Sequence, residues 1–314
     1  MEKELHIPVL SAEVLAYLNP QPGEIFLDGT LGLGGHTALI AKALGPTGTI
    51  IGVDQDETAM SIAKAKLKEY PGRVIFCPGN FRYLEEYLDR EGIPTVDGVL
   101  FDLGVSSLQL DTGERGFSYW RDAPLDMRMD QNSGVSAAEF INTAEKRKIA
   151  EIIRVYGEER WASRIAAFIV EEREKKPIRT TGELVEIIKA AIPAAARRTG
   201  SHPARRTFQA LRIYINQELE AIEEGLNAGL KRLSPGGRLV VISFHSLEDR
   251  LVKRVFQEKA RACLCPPELP ICVCGGRNRQ VEILTSRPVS PQKTELDQNP
   301  RSRSAKLRAL RKLV

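Results

Sequence analysis

The sequence predicts an α/β protein: a Rossmann-like, mostly parallel sheet interrupted by an inserted helical domain. Three observations carry this. Over the first hundred residues, short runs rich in Ile, Val and Phe alternate with stretches of helical spacing, the pattern of parallel strands joined by crossover helices. From about Ser136 to Ala196 the alternation gives way to helical periodicity alone. It then resumes, with strand-like runs near Arg238 and Gln280 and close to the C-terminus.

The elements follow in order. Strands are expected at Ile25 to Gly29, Thr49 to Asp54, Arg73 to Cys77 and Asp97 to Leu103. The intervening helices cover His36 to Leu44, Glu57 to Tyr70 with Asp56 as N-cap, and Tyr83 to Glu91. Amphipathic stretches at Lys148 to Tyr156, Arg160 to Lys175 and Thr181 to Ala191, punctuated by Pro177 and Pro193, build the insertion. One long helix from Thr207 to Leu233, a turn at Ser234 to Gly237 and a strand from Arg238 to Phe244 return to the first pattern. A helix (Leu247 to Ala260) and strands at Gln280 to Thr285 and Ala305 to Leu310 complete the chain. The expected division is a sheet domain of residues 1–108 and 207–314 around an insertion of 109–206.

With 314 residues, 42% hydrophobic and 27% charged, the chain can bury a sizeable core. That composition argues against a disulfide-stapled mini-protein and against disorder. Gly29 to Val53 is weakly charged but contains seven glycines and Pro46, which excludes a membrane-spanning helix there. The start, MEKELHIPVL, lacks the apolar core of a secretion signal, so a cytoplasmic protein without membrane contact is expected. Positive charge is clustered: Arg277 to Val314 holds ten Lys or Arg against Glu282, Glu295 and Asp297, and Arg197 to Arg212 holds five arginines and no acid. Such clusters suit a polyanion such as nucleic acid, or a merely solvated face.

After the first strand comes Asp28-Gly-Thr-Leu-Gly-Leu-Gly-Gly35, a glycine-rich turn opening a helix. Turns of this kind let a ligand approach the backbone and offer helix N–H groups to it. Thr37 occupies the sixth position of a G-x-G-x-x-G read from Gly32, so the dinucleotide pattern is not met. An acid heading the loop, D-x-x-x-G-x-G, is the pattern of S-adenosylmethionine-dependent methyltransferases. Asp54 ends the second strand, where a carboxylate can accept both hydroxyls of an adenosine ribose. Asn80 and Phe81 follow the third strand, placed for an adenine ring or, in the case of Phe81, for core packing. The fourth strand ends in Asp102-Leu-Gly-Val-Ser-Ser-Leu-Gln109. Exocyclic-amine methyltransferases often carry an acid or amide here followed by Pro-Pro-aromatic; this chain keeps the acid alone. Asp102 is thus a candidate to orient a poor amine nucleophile.

Together with HIPVL (6–10), RGFSYWRDAPLDMRMD (115–130), HPARRTFQALRIYIN (202–216) and ISFHSLEDR (242–250), these residues resemble the 16S ribosomal RNA cytosine-N4 methyltransferase family, RsmH or MraW. The resemblance implies a class I S-adenosylmethionine-dependent methyltransferase fold. It also implies N4-methylation of a cytidine in the decoding region, with 16S rRNA or the small ribosomal subunit as partner. It carries cofactor contact onto Gly34, Gly35, His36, Asp54, Phe81, Asp102 and Gln109.

Three further features call for assignment. Cys263, Cys265, Cys272 and Cys274 crowd around PPELP and suggest a structural zinc, with redox pairing or plain thiols as alternatives. Arg197, Arg198, Arg205 and Arg206 are RNA-binding candidates. His245 in FHSLEDR has three possible roles: lining the site, packing, or touching RNA.

Overall fold

The structure, a computed structural model, describes residues 8–105, 115–132, 134–198, 202–263, 265, 273–276 and 278–314. The chain forms two compact units, Met1–Gly104 with Leu219–Val314, and Val105–Glu218.

The first unit is built on a sheet of seven described strands in the order β3-β2-β1-β4-β5-β7-β6. These are β1 (Ile25–Asp28), β2 (Thr49–Asp54), β3 (Arg73–Pro78), β4 (Val96–Asp102), β5 (Leu233–Ser243), β6 (Val281–Ile283) and β7 (Lys306–Lys312). The strands through β5 pair in parallel, and β7 runs antiparallel between β5 and β6. This is the mostly parallel, Rossmann-like sheet that the sequence predicts. Its central strands β1, β2, β4 and β5 carry near-continuous buried apolar runs because both faces are covered. Leu27, Ile51, Val99, Phe101 and Val241 enter one core, while their neighbours Phe26, Ile50, Leu100, Val240 and Ile242 enter the other. Helices α1 (Ser11–Leu18), α2 (Gly35–Leu44), α3 (Glu57–Lys66) and α4 (Leu84–Arg90) precede the departure to the second unit. Asp56 caps α3, accepting from the amides of Thr58 and Ala59 at 3.0 and 3.2 Å.

The second unit is helical. Its larger elements are α5 (Ala137–Thr143), α6 (Lys146–Gly157), α7 (Ala162–Lys175), α8 (Thr181–Ala191) and, beyond the short α9 (Ala194–Arg197), α10 (Arg205–Asn216). Ile149, Ile152, Ile153, Ile165, Ile169, Leu184, Ile188 and Leu211 form its core, spaced as one-sided helices require. Thr180 and Glu183 close a capping box at the start of α8.

One expected element is corrected. The single helix from Thr207 to Leu233 is two, α10 and α11 (Glu218–Arg232), broken at Gln217, which takes φ +49°. Because α10 packs on α6, the observed unit boundary falls after Glu218 and not after residue 206. The turn at Ser234 to Gly237 is absorbed into β5, with the register against β4 shifting between Val96 and Gly98. Helix α12 (Ser246–Ala260) follows β5, and α13 (Lys293–Gln298) lies between β6 and β7.

Candidate active site

In a parallel sheet, ligands gather where strands end. Here β1, β2 and β4 end in Asp28, Asp54 and Asp102. The turn after β1 is shaped by Gly32 (φ +50°) and Gly34 (φ +70°), a conformation that a β-carbon opposes. Gly34 is the N-cap of α2, and Gly35 and His36 form its first turn. First-turn amides have no partner within their own helix and face the end that favours electron-rich groups.

Each acid is held differently. Asp28 is buried, accepting from the Thr37 hydroxyl at 2.5 Å and the Thr30 amide at 3.1 Å, and burial raises its pKa. Asp54 Oδ2 accepts from the Gly32 amide at 2.7 Å and Oδ1 from the Asp56 amide at 2.8 Å. These bonds fix the carboxylate and leave one lone pair on each oxygen. Burial outweighs them and lifts its pKa to about 6. The backbone of Asp102 is tied down by its N–H donating to the Thr30 hydroxyl at 2.6 Å. Its Oδ2 lies 3.6 Å from His36 Nε2. Its Oδ1 is buried and has no hydrogen-bond partner among the described residues. Burial first, and then the nearby Asp28 and Glu248 carboxylates, push its pKa to about 8.

Asn80 donates to Gln55 Oε1 at 3.2 Å and accepts from the Arg82 amide at 3.0 Å. Phe81 is half-buried. Its ring packs on Phe101 with centroids 5.3 Å apart, and a β-carbon on Gly225 would meet it at 2.5 Å, so core packing is part of its role. Gln109 lies outside the described residues.

The FHSLEDR segment resolves into three roles. His245 caps α12: its Nδ1 accepts from the Glu248 amide at 3.3 Å. Asp249 pairs with Arg308 at 2.7 Å and Lys306 at 3.3 Å. The residue facing Asp102 electrostatically is Glu248, fully buried, whose carboxylate accepts from the amides of Phe244 and His245. Sequence reading passed over it; H-x-x-E, a capping-box spacing, was the available signal.

An S-adenosylmethionine-like ligand fits these residues on two grounds. Asp102 Oδ1 is a buried acceptor lacking a donor among the described residues, and the Asp28 and Glu248 carboxylates lie near enough to act on it electrostatically, a surrounding that suits a cationic group. Residues such as Asp54 and Asp102 could hold its hydroxyl and ammonium groups.

A family model described as the MraW methylase family matches residues 3–313. The chain belongs to that family. Ribosomal RNA small subunit methyltransferase H from Symbiobacterium thermophilum is 55% identical over 308 residues, covering 98% of this chain and 96% of that protein. The protein of the same name from Heliobacterium modesticaldum is 54% identical, with 98% of each chain covered. A third, from Trichlorobacter lovleyi, is 51% identical over the full length of both. Membership in the MraW methylase family makes the chain a methyltransferase.

In the helical unit, Arg197, Arg198, Arg205 and Arg206 are exposed. Arg212, from the same basic run, is committed to Glu218 through two 2.8 Å bonds. The sequence reading did not single out Trp120. It is 74% exposed, with its ring 4.9 Å from His202, which stacks on Tyr119 at 4.7 Å. Much of the basic C-terminal stretch is spent inside the first unit: Arg308 and Lys306 on Asp249, Arg311 on Glu282 at 2.6 Å, and Lys312 on the Leu233 carbonyl at 2.6 Å. Those partners are remote in sequence, which is why the run reads as a free patch. Cys263, Cys265 and Cys274 converge, while Cys272 lies outside the described residues. No helix among the described residues is long and apolar enough to cross a membrane.

Proposed function

We propose that this methyltransferase transfers a methyl group from S-adenosylmethionine to the exocyclic N4 of a cytidine in the decoding region of small-subunit (16S) ribosomal RNA, acting in the cytoplasm. The observation that carries the reading is the trio of strand-end acids around the glycine turn, with Asp102 Oδ1 lacking a donor among the described residues. The name shared by relatives at 51–55% identity, ribosomal RNA small subunit methyltransferase H, supports the RNA substrate.

In this reading Gly34, Gly35 and His36 hold the methionine end of the cofactor. Asp54 accepts the ribose hydroxyls, while Phe81 and Gln109 border the remainder. The bound cofactor supplies an electrophilic methyl on a sulfonium. Asp102 accepts the cofactor's ammonium through Oδ1 and, if it instead turns to the base, orients an N4–H. Its backbone is anchored by Thr30, so either role starts from a fixed position. Methyl transfer needs in-line placement above all, and the amine proton leaves once nitrogen is cationic, so no nucleophile–base dyad is required. The target cytidine has to be unstacked to present N4.

RNA is assigned to the helical unit. Exposed Trp120, backed by His202 and Tyr119, is suited to stack an unpaired base, and Arg197, Arg198, Arg205 and Arg206 supply phosphate contacts. The chain enters this unit at Val105, three residues beyond Asp102. The test is incubation with labelled S-adenosylmethionine and small subunits from a methylation-deficient strain, followed by nucleoside mass spectrometry. N4-methylcytidine is expected; a methyl on C5 or a ribose 2′ oxygen overturns the assignment.

A further inference from the structure

We propose that Cys263, Cys265 and Cys274 bind one zinc ion that orders the excursion between α12 and β6. The ligand atoms of the three described cysteines lie within 4.8 Å of one another, with Cys274 Sγ 3.6 Å from Cys263 Sγ. Tetrahedral zinc with Zn–S bonds of about 2.3 Å spaces its sulfurs about 3.8 Å apart, so the Cys263–Cys274 pair stands near the edge length of that polyhedron. The Val273 amide donates to Cys265 Sγ at 3.4 Å. An N–H directed at sulfur stabilises a bound thiolate and orients it.

The surroundings explain why a metal is needed here. None of the described residues from Arg261 to Gln280 is buried, and Val273 is 78% exposed. The base of the excursion is closed by the Gln280 amide on the Lys259 carbonyl at 3.0 Å and the Asn278 amide on the Ala262 carbonyl at 3.1 Å. Farther out, the sulfurs are where its two limbs meet. A segment whose described residues bury no apolar side chain gains order from metal binding, as small metal-dependent domains do. An all-sulfur donor set selects zinc over magnesium or calcium. Cys77, buried in the sheet, lies outside this set, so the expected load is one ion per chain. The site is structural and independent of the methyl-transfer chemistry.

Full-length protein purified without chelator or metal-affinity steps is expected to hold about one zinc per chain by elemental analysis. The thiols of Cys263, Cys265 and Cys274 should resist a thiol reagent until the metal is withdrawn. Cobalt substitution is expected to give the charge-transfer and visible absorption of a tetrahedral thiolate site. Cys263→Ser and Cys274→Ser should each lose the metal and make the 261–280 segment the first site of tryptic cleavage. Three results overturn the proposal: wild-type protein without metal in which these three thiols react freely even after zinc is added, intact mass showing these cysteines oxidised to disulfides, or wild-type zinc content in both serine variants.

Discussion

Asp102→Asn tests the electrostatics of the site most directly. Asp102 has its pKa raised to about 8 by burial and by the Asp28 and Glu248 carboxylates, whereas an unfolded aspartate titrates near ~3.9. Between those values the folded protein holds a proton that the unfolded chain has released. Asp102 therefore contributes most to stability below about pH 4, and that contribution is lost as pH rises through about 8. At about 1.4 kcal/mol per unit, a dry site would make this roughly 6 kcal/mol; with 28% of the side chain exposed, solvent screening leaves about 2 kcal/mol. The asparagine variant carries no charge, so at about pH 8.5 its ligand-free form should be more stable by about 2 kcal/mol, or some 4–8 °C in Tm. Its stability should also fall less as pH rises from 6 to 8.5. Binding moves the other way. Loss of one charge-assisted hydrogen bond to the cofactor's ammonium, worth about 1.5–3 kcal/mol, weakens S-adenosylhomocysteine roughly 10–150-fold. Wild-type protein has to ionise Asp102 to make that bond, so calorimetry near neutral pH in buffers of different ionisation enthalpy should register proton release, absent in the variant. No stabilisation at pH 8.5 and no proton release would refute the reasoning. Near-normal binding with a slower single turnover would move Asp102 to the base.

Asp54→Ala is expected to weaken S-adenosylmethionine by about 2–4 kcal/mol, or 30–1000-fold, through two lost charge-assisted bonds; titration calorimetry within threefold of wild type would remove Asp54 from the cofactor site. Replacing Arg197, Arg198, Arg205 and Arg206 with Ala should lower RNA affinity and flatten its salt dependence by up to ~0.7 in slope per lost phosphate contact. Adding Trp120→Ala should weaken binding further by about 1–3 kcal/mol without changing the slope; an unaltered slope in the arginine variant would mark that surface as merely solvated.

Much of the sheet could be read from sequence because its strands are buried on both faces, so Ile25 to Asp28 and Thr49 to Asp54 stand out as unbroken apolar runs ending in acids. The glycine turn was legible for a related reason: few residues besides glycine accept the left-handed backbone at positions 32 and 34. The break at Gln217 was not, since apolar spacing continues across it and glutamine carries no turn signal. Glu248 was hidden because its importance lies in what it faces, Asp102, nearly 150 residues earlier. The basic C-terminal stretch misled in the same way: Arg308 looks solvated until Asp249 is brought beside it by the antiparallel entry of β7. Pairings made by topology leave no local trace.

The position of β7 has a consequence for biosynthesis. The seventh strand, Lys306–Lys312, is an interior member of the sheet, and among the described residues β6 is joined to the other strands only through it. While the nascent chain is still tethered, β5 presents an open hydrogen-bonding edge and Leu307, Ala309 and Leu310 are missing from the two cores. The sheet can close only after synthesis has passed Lys312 and that segment has cleared the exit tunnel. A transcript truncated just before Lys306 would therefore yield a chain that retains Asp28, Asp54 and Asp102 but exposes an unpaired edge strand prone to aggregation.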